Sequence, residues 1–224
     1  MFNDSTNKYV KQLPKFEGVI LPFYKDEISV KESELIKSKV TISTSIICEL
    51  GSGSGGHLVE LAKQNPESLI LGFELRYKRI YRTAEKAALQ NLTNILLFRT
   101  QAQRLFEFCS KKTVDMFYVN FPDPWQKQRW KKHRLLSEEF LNKILLTLKD
   151  GGKFSFKSDH KDYFAEVAEV IKRNYFFKIE KLTEDLHKSP WAEESITTEF
   201  EKLYKSKRLP TYFLEAIKIG DPIL

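Results

Sequence analysis

From residue 45 onward, the pattern of apolar and polar positions changes repeatedly between that of a strand and that of a helix. Short apolar runs of strand length occur at SIICEL (45–50), LILGFE (69–74), NILLF (94–98), VDMFYVNF (114–121) and KFSFKS (153–158). Runs of this length and composition predict buried strands. Two more runs near the C-terminus, FFKIEKL and TYFLEAIKI, predict the last two strands.

Segments with apolar residues three or four positions apart follow the first five strands and predict helices over residues 57–64, 76–91, 102–109, 137–150 and 160–174. Ser137 is the predicted N-cap of the fourth helix, with acidic residues in its first turn. Gly151-Gly152 is predicted to end that helix. The alternation indicates an α/β fold of the doubly wound type, with a mostly parallel seven-stranded sheet and helices on both faces.

Residues 1–44 are mixed and polar, with turn signals at Pro14, Gly18 and Pro22. We therefore predict an N-terminal arm over residues 1–44, with room for a short helix, and one domain over residues 45–224.

The 224 residues carry a net charge of +7, which is compatible with a polyanionic partner. No run approaches the roughly 20 apolar residues of a membrane helix, and the first residues contain no signal peptide, so a cytoplasmic protein is expected. Cys48 and Cys109 lack CxxC partners, and no Cys/His set has metal-ligand spacing. We expect two reduced thiols in the core and no metal.

The first strand-to-helix turn is rich in glycine, and we call residues 51–55 the glycine loop. Gly51 and Gly53 permit a tight turn and close approach of a ligand to the backbone. Glu74, at the end of the next strand, is near the spacing at which a carboxylate binds ribose hydroxyls. Glu49 would repel a pyrophosphate but suits a cationic ligand, which favours S-adenosylmethionine over NAD. A packing turn and an NAD-dependent oxidoreductase are the alternatives.

The fourth predicted strand leads into VNFPDPWQKQRWKKHR, residues 119–134. Two prolines stiffen the part that we call the proline loop, residues 121–125, around Asp123 and Trp125. Residues 127–134, the basic segment, hold five Lys or Arg and no acid. Such residues suit contacts to phosphates, and a tryptophan can stack on a base, so a nucleic acid is the predicted methyl acceptor. A solvated charged face is the alternative.

With these motifs, the chain resembles the tRNA (guanine-N7-)-methyltransferase family, a group of class I, Rossmann-like methyltransferases. ELGSGSGGHLVELAKQNP, GFEL, VNFPDPWQKQRWKKHR, GGKFSFKSD and TEFEKLYKSKRLP carry the resemblance, which covers about residues 49–214. It implies transfer of a methyl group from S-adenosylmethionine to N7 of the variable-loop guanine at tRNA position 46.

The resemblance also implies roles for individual residues. The cofactor-binding residues would be Glu49, Gly51, Gly53, Glu74, Gln101 and Asp123, and Asp123 would also be the catalytic residue. The substrate-binding residues would be Lys127, Asp159, Thr198, Glu199, Phe200 and Glu201. The RNA-binding residues would be Arg129, Trp130, Lys131, Lys132, His133 and Arg134. Asp159 also has a structural alternative, as the N-cap of the helix that follows it.

Guanine N7 has an in-plane lone pair and no proton, so the reaction needs positioning and electrostatics rather than a strong base. We therefore expect Asp123 to orient the guanine and to stabilise its growing positive charge. NFPDPW also resembles the Asn/Asp-Pro-Pro-aromatic stretch of exocyclic-amino methyltransferases, although Asp123 separates the two prolines. A non-catalytic RNA-binding module is a further alternative. The resemblance implies a monomer or a homodimer, although members of the family with a partner subunit also occur.

Overall fold

The computed structural model of the protein describes residues 7–21 and 29–221. Pro22, one of the predicted turn signals, lies outside the described residues. The chain divides into two compact units, with the boundary after Phe108. The division into an arm over residues 1–44 and a domain over residues 45–224 stays a prediction.

The first unit contains parallel strands in the order β1-β4-β3-β2. Its elements are β1 (Ile20–Leu21), α1 (Val30–Ile42), β2 (Ser45–Leu50), α2 (Gly56–Gln64), β3 (Ser68–Phe73), α3 (Tyr77–Leu89) and β4 (Ile95–Phe98), with 3-10 helices at Val10–Phe16 and Ala102–Glu107. Every residue of β3 and β4 is buried. Continuous apolar runs are typical of parallel strands because these strands are covered on both faces.

Local contacts explain where the elements of the first unit begin and end. Ser29 and Glu32 form a reciprocal capping box at the start of α1, which satisfies two backbone N–H groups. The Asn94 side-chain amide donates to the backbone carbonyls of Ala62, Asn65 and Ser68, at 3.0–3.1 Å. This amide ties the end of α2 and the start of β3 to the residue before β4.

The second unit combines a parallel pair of strands with two antiparallel pairs, in the order β5-β6-β8-β7. Its elements are β5 (Val114–Asn120), α4 (Glu138–Thr147), β6 (Leu148–Ser158), α5 (Lys161–Arg173), β7 (Phe177–Thr183), α6 (Glu199–Ser206) and β8 (Tyr212–Lys218), with 3-10 helices at Gln128–His133 and Leu186–Lys188. The central apolar residues of β6, α4 and α5 form its core.

The predicted α/β, mostly parallel class is confirmed. The described residues contain eight strands instead of the predicted seven. The additional strand is β1, which lies in the region predicted to be an arm and pairs with β4. The Ser137 cap is confirmed by its hydrogen bond from Phe140 N, at 3.2 Å.

Two local predictions were wrong. Gly151-Gly152 does not end α4: the helix stops at Thr147 because Leu148 already pairs with β5, and the glycines form an irregularity within β6. The N-cap of α5 is His160, not Asp159, since His160 Nδ1 accepts from Tyr163 N at 3.2 Å.

Cys48 and Cys109 are buried and neither forms a disulfide with the other, as predicted. Burial raises the pKa of Cys109 to about 12, because the thiolate would lose its hydration. In residues 7–21 and 29–221, no helix is long and apolar enough to cross a membrane.

Candidate active site

The glycine loop leaves β2 and is tied at once to the end of β3. Gly51 N and Ser52 N both donate to the carbonyl oxygen of Phe73, at 2.9 Å. Gly51 has φ +81, a value that side-chain-bearing residues rarely adopt. A Cβ built on Gly51 or Gly53 would have no atom within 4 Å. The backbone at Gly51 and Gly53 therefore faces open space that a ligand can approach closely.

Glu74, directly after β3, holds the glycine loop from the other side. Its Oε2 accepts from Gly53 N at 3.1 Å, and its Oε1 accepts from Arg76 N at 2.8 Å. The residue is 8% exposed, and Arg79 lies 3.9 Å from Oε2. Each carboxylate oxygen retains a second lone pair, so Glu74 can still accept from hydroxyl groups of a ligand.

Glu49 is buried beside His57, a residue that was not predicted from the sequence. Its Oε1 lies 3.0 Å from Nδ1 of His57, at the start of α2, and the two side chains are 3% and 4% exposed. Within the described residues, the buried hydroxyl of Ser52 has no hydrogen-bond partner. The open loop backbone, this hydroxyl and the Glu74 carboxylate fit a polar adenosyl ligand. His57 could have been suspected, because a histidine in an apolar helix face requires a polar partner.

Gln101 belongs to the same unit and precedes the 3-10 helix of residues 102–107. Its backbone carbonyl accepts from Arg104 N at 3.0 Å, and its side chain is exposed and does not cap the helix. The structure therefore leaves the Gln101 amide accessible to a ligand.

The proline loop has an unusual backbone at both ends. Phe121 has φ 50 and Trp125 has φ 43, and bulky residues are strained at positive φ. Asp123 lies between them and is exposed. The Trp125 ring packs edge-on against Trp130 at 6.1 Å and lies 5.4 Å from the ring of His133. The loop is thus a short, specifically shaped turn that presents a carboxylate to solvent.

The basic segment separates into exposed and buried side chains. Lys127 Nζ and the Arg129 guanidinium lie 4.7 and 5.2 Å from the ring of Trp130, in cation–π geometry. These two residues, Lys132 and His133 are exposed. Arg134 is turned inward instead, with a side chain that is 6% exposed.

Asp159, after β6, is joined to α6. The hydroxyl of Tyr204 donates to Asp159 Oδ2 at 2.6 Å, and this bond raises the pKa of Tyr204 to about 12. The rings of Phe121 and Phe200 lie 5.4 Å apart, and those of Phe200 and Tyr204 lie 5.1 Å apart. This aromatic cluster brings together the proline loop, Asp159 and the exposed ring of Phe200.

Thr198 and Glu201 start α6 through a reciprocal capping box. Lys157 Nζ, in β6, donates to Glu201 Oε2 at 2.8 Å and to the carbonyl of Ile196 at 2.9 Å. The side chains of Lys157 and Glu201 are only 2% and 1% exposed. Glu201 therefore fixes the first turn of α6, whereas Glu199 and Phe200 are exposed.

Three residues that contact predicted site residues were not predicted from the sequence: Lys157, Tyr204 and Glu166. A lysine inside the apolar run KFSFKS was the available signal for Lys157, because a buried charge requires a partner. Tyr204 and Glu166 have no comparable signal in the sequence, since their partners are distant along the chain.

Solved structures show the same fold. The 16S rRNA methyltransferase KamB superimposes with a TM-score of 0.61 at 19% identity, over 88% of this chain and 95% of that one. The fibrillarin/Nop5p complex contains a chain that matches with a TM-score of 0.54 at 18% identity, over 79% and 73%.

Curated relatives are more similar in sequence. The bifunctional glycosyltransferase/methyltransferase of Fusobacterium nucleatum is 31% identical over 90% of this chain, and the bifunctional methyltransferase of Rickettsia bellii is 39% identical over 69%. The chain spans only 31% and 28% of the lengths of these two relatives. The tRNA (guanine-N(7)-)-methyltransferase of Lactobacillus acidophilus is 37% identical, over 75% of this chain and 78% of that protein.

Residues 43–214 match the family described as "Putative methyltransferase". This match covers both the glycine loop and the proline loop with its basic segment. The chain therefore belongs to this methyltransferase family, and the resemblance to its tRNA (guanine-N7-)-methyltransferases is confirmed.

Proposed function

We propose that the protein transfers a methyl group from S-adenosylmethionine to N7 of guanine in tRNA, at position 46 of the variable loop. The observation that carries the proposal is the arrangement in the second unit, where Phe121, Phe200 and Tyr204 link the Asp123 loop to Asp159. We further propose that it acts in the cytoplasm, as a monomer or homodimer.

In the first unit, Glu49, Gly51, Gly53, Glu74 and Gln101 would hold the methyl donor. S-adenosylmethionine supplies an electrophilic methyl group on a sulfonium. The open backbone at Gly51 and Gly53 admits the ligand, and the Glu74 carboxylate accepts from ribose hydroxyls. Glu49, kept beside His57, contributes negative charge that suits a cationic ligand.

In the second unit, the chain holds the guanine. The in-plane lone pair of N7 is the nucleophile, so no residue has to remove a proton before attack. The base becomes cationic as the bond forms, and the Asp123 carboxylate stabilises that charge. Asp159 accepts hydrogen bonds from the donor edge of guanine, since a carboxylate is an acceptor only. The exposed ring of Phe200 offers a stacking surface.

The exposed cations Lys127, Arg129 and Lys132 would contact phosphates of the tRNA, with Trp130 between two of them as a stacking surface. Glu199 and Thr198, at the start of α6, would extend the substrate-binding surface. The buried Glu201 would support this surface by fixing the first turn of α6.

The test uses labelled S-adenosylmethionine and unmodified tRNA, followed by digestion to nucleosides. We expect label in 7-methylguanosine, and an Asp123→Ala variant about 100-fold slower, the size of effect typical for loss of one electrostatic contact to a transition state. Asp162→Asn, which removes an exposed carboxylate on α5, is the matched control and should retain the rate.

Label on an exocyclic amino group would reassign the protein to the amino methyltransferases. Binding of donor and tRNA without transfer would indicate an RNA-binding module. An Asp123→Ala variant with the wild-type rate would remove Asp123 from the reaction.

A further inference from the structure

Arg134 ends the basic segment, but its side chain does not behave like those of its neighbours. Lys127, Arg129 and Lys132 are exposed, whereas the Arg134 side chain is 6% exposed. A buried guanidinium is costly unless its charge and its N–H groups are matched. The contacts of Arg134 therefore indicate what the residue does.

Three contacts surround the guanidinium. Nε donates to the carbonyl oxygen of Pro124 at 2.7 Å. Nη1 forms a hydrogen-bonded ion pair with Glu166 on α5. The guanidinium group lies over the ring of Tyr163, and its Cζ is 4.6 Å from the ring centroid. Arg134 thus joins the proline loop to α5.

The α5 side of this contact is itself fixed. Tyr163 is 1% exposed, and its hydroxyl accepts from Leu136 N at 3.0 Å. Glu166 also accepts from Lys131 Nζ at 2.6 Å. Partial burial opposes ionisation of Glu166, but the hydrogen bonds from Lys131 and Arg134 hold its pKa below the ordinary value. Glu166 is therefore a carboxylate at neutral pH.

The proline loop needs such an anchor. Positive φ is strained at a residue with a side chain, and both Phe121 and Trp125 have positive φ. Strained backbone persists only where surrounding contacts hold it. The carbonyl held by Arg134 belongs to Pro124, the residue directly after Asp123, so the anchor acts one peptide away from the exposed carboxylate.

We propose that Arg134 is a positioning residue that, with Glu166 and Tyr163, fixes the proline loop and thereby the place of Asp123, and that it is not a phosphate contact. The inference rests on the proposed function in its use of Asp123. It assigns a role to Glu166, and it removes Arg134 from the predicted RNA-binding set.

Glu166→Gln distinguishes two roles for the Arg134–Glu166 pair, an electrostatic role in tRNA binding and a role as anchor of the proline loop. The two roles predict different effects. Removing an acid beside a tRNA-binding surface should tighten tRNA binding by simple electrostatics. Loss of the anchor should instead lower kcat. We expect Glu166→Gln and Arg134→Gln each to lower kcat at least tenfold, with no change in the slope of log K against log salt for tRNA binding.

Lys132→Gln is the comparison for a phosphate contact, and that slope should weaken by about 1. Lys172→Gln, an exposed lysine on the same helix as Glu166, is the control for charge alone and should leave kcat and the slope unchanged. An Arg134→Gln variant that weakens the slope like Lys132→Gln and keeps kcat would overturn the proposal, as would unchanged kcat in Glu166→Gln.

Limited trypsin digestion tests the anchor without donor or tRNA, because Lys127, Arg129 and Lys132 are cleavage sites next to the loop. We expect faster cleavage there in Glu166→Gln than in wild type or Lys172→Gln, with circular dichroism showing a folded protein. Equal cleavage in all three proteins would overturn the anchor. If wild type fails to methylate tRNA but Glu166→Gln is cleaved faster, the proposed function fails and the anchor stands.

Discussion

The glycine loop of the first unit and the proline loop of the second are held in place by different kinds of contact. The glycine loop is fixed by backbone N–H groups that donate to Phe73 O and to the Glu74 carboxylate. The proline loop and its surroundings are fixed by side chains, through the pairs Arg134–Glu166, Lys157–Glu201 and Tyr204–Asp159. The glycine loop takes part in these contacts through its own main-chain groups, so the backbone at Gly51 and Gly53 stays open to a ligand. In the second unit, side-chain pairs let distant segments hold an exposed carboxylate.

The largest expected effect is at Lys157, in the second unit. Lys157→Met leaves the Glu201 carboxylate buried without its cation, and breaking a buried pair costs roughly 3–5 kcal/mol. Urea unfolding should show this loss. The double variant Lys157→Met/Glu201→Gln should recover part of it, because no buried charge remains. A single variant as stable as wild type would mean that side-chain pairs do not hold this unit.

Urea unfolding of a Gly55 variant tests the contacts of the glycine loop. A Cβ there would lie 2.3 Å from Thr83 Cγ2, and φ is +76. Gly55→Ala should therefore lower the free energy of unfolding by roughly 2–4 kcal/mol, from backbone strain and overpacking together. Gly51→Ala has a similar φ without a close neighbour, so it isolates the strain. Equal losses in both variants would show that the clash with Thr83 is relieved.

Glu74→Gln should weaken donor binding more than it weakens the fold. One amide oxygen cannot accept from both Gly53 N and Arg76 N as the carboxylate does. We expect the Kd for S-adenosylmethionine to rise about tenfold, measured by calorimetry. Glu60→Gln, on α2, loses only contacts to Lys63 and Gln64 and serves as control. Wild-type affinity in Glu74→Gln would place the donor elsewhere.

The smallest effect is expected at the exposed cations. Lys132→Gln should reduce tRNA affinity only a few-fold at moderate salt, while weakening the salt dependence. Filter binding at several salt concentrations measures both quantities. Lys178→Gln, an exposed lysine on β7, is the matched control. Identical salt slopes in both variants would argue against a phosphate contact by Lys132.

Much of the fold was predictable because its elements are locally encoded. The apolar runs predicted β2 to β8, although β6 begins at Leu148 and not at the predicted Lys153, and the Ser137 cap marked the start of α4. The same local logic could have located α1 and α6, since Ser29-x-x-Glu32 and Thr198-x-x-Glu201 are both capping boxes. The prediction that Gly151-Gly152 ends α4 was wrong because glycine is typical both of helix ends and of irregularities within strands.

For the candidate site, the sequence by itself determined which residue types stand at the ends of the strands: the glycines after β2, Glu74 after β3, and Asp123 between two prolines after β5. Their order along the chain was enough for the family resemblance. Only the tertiary structure decided which charges face solvent. Nothing in the sequence distinguishes Arg134 and Glu201 from exposed charges. In the structure both are buried, because Arg134 pairs with Glu166 and Glu201 pairs with Lys157. The reason is that burial of a charge depends on a partner of opposite sign, and that partner lies more than 30 residues away along the chain.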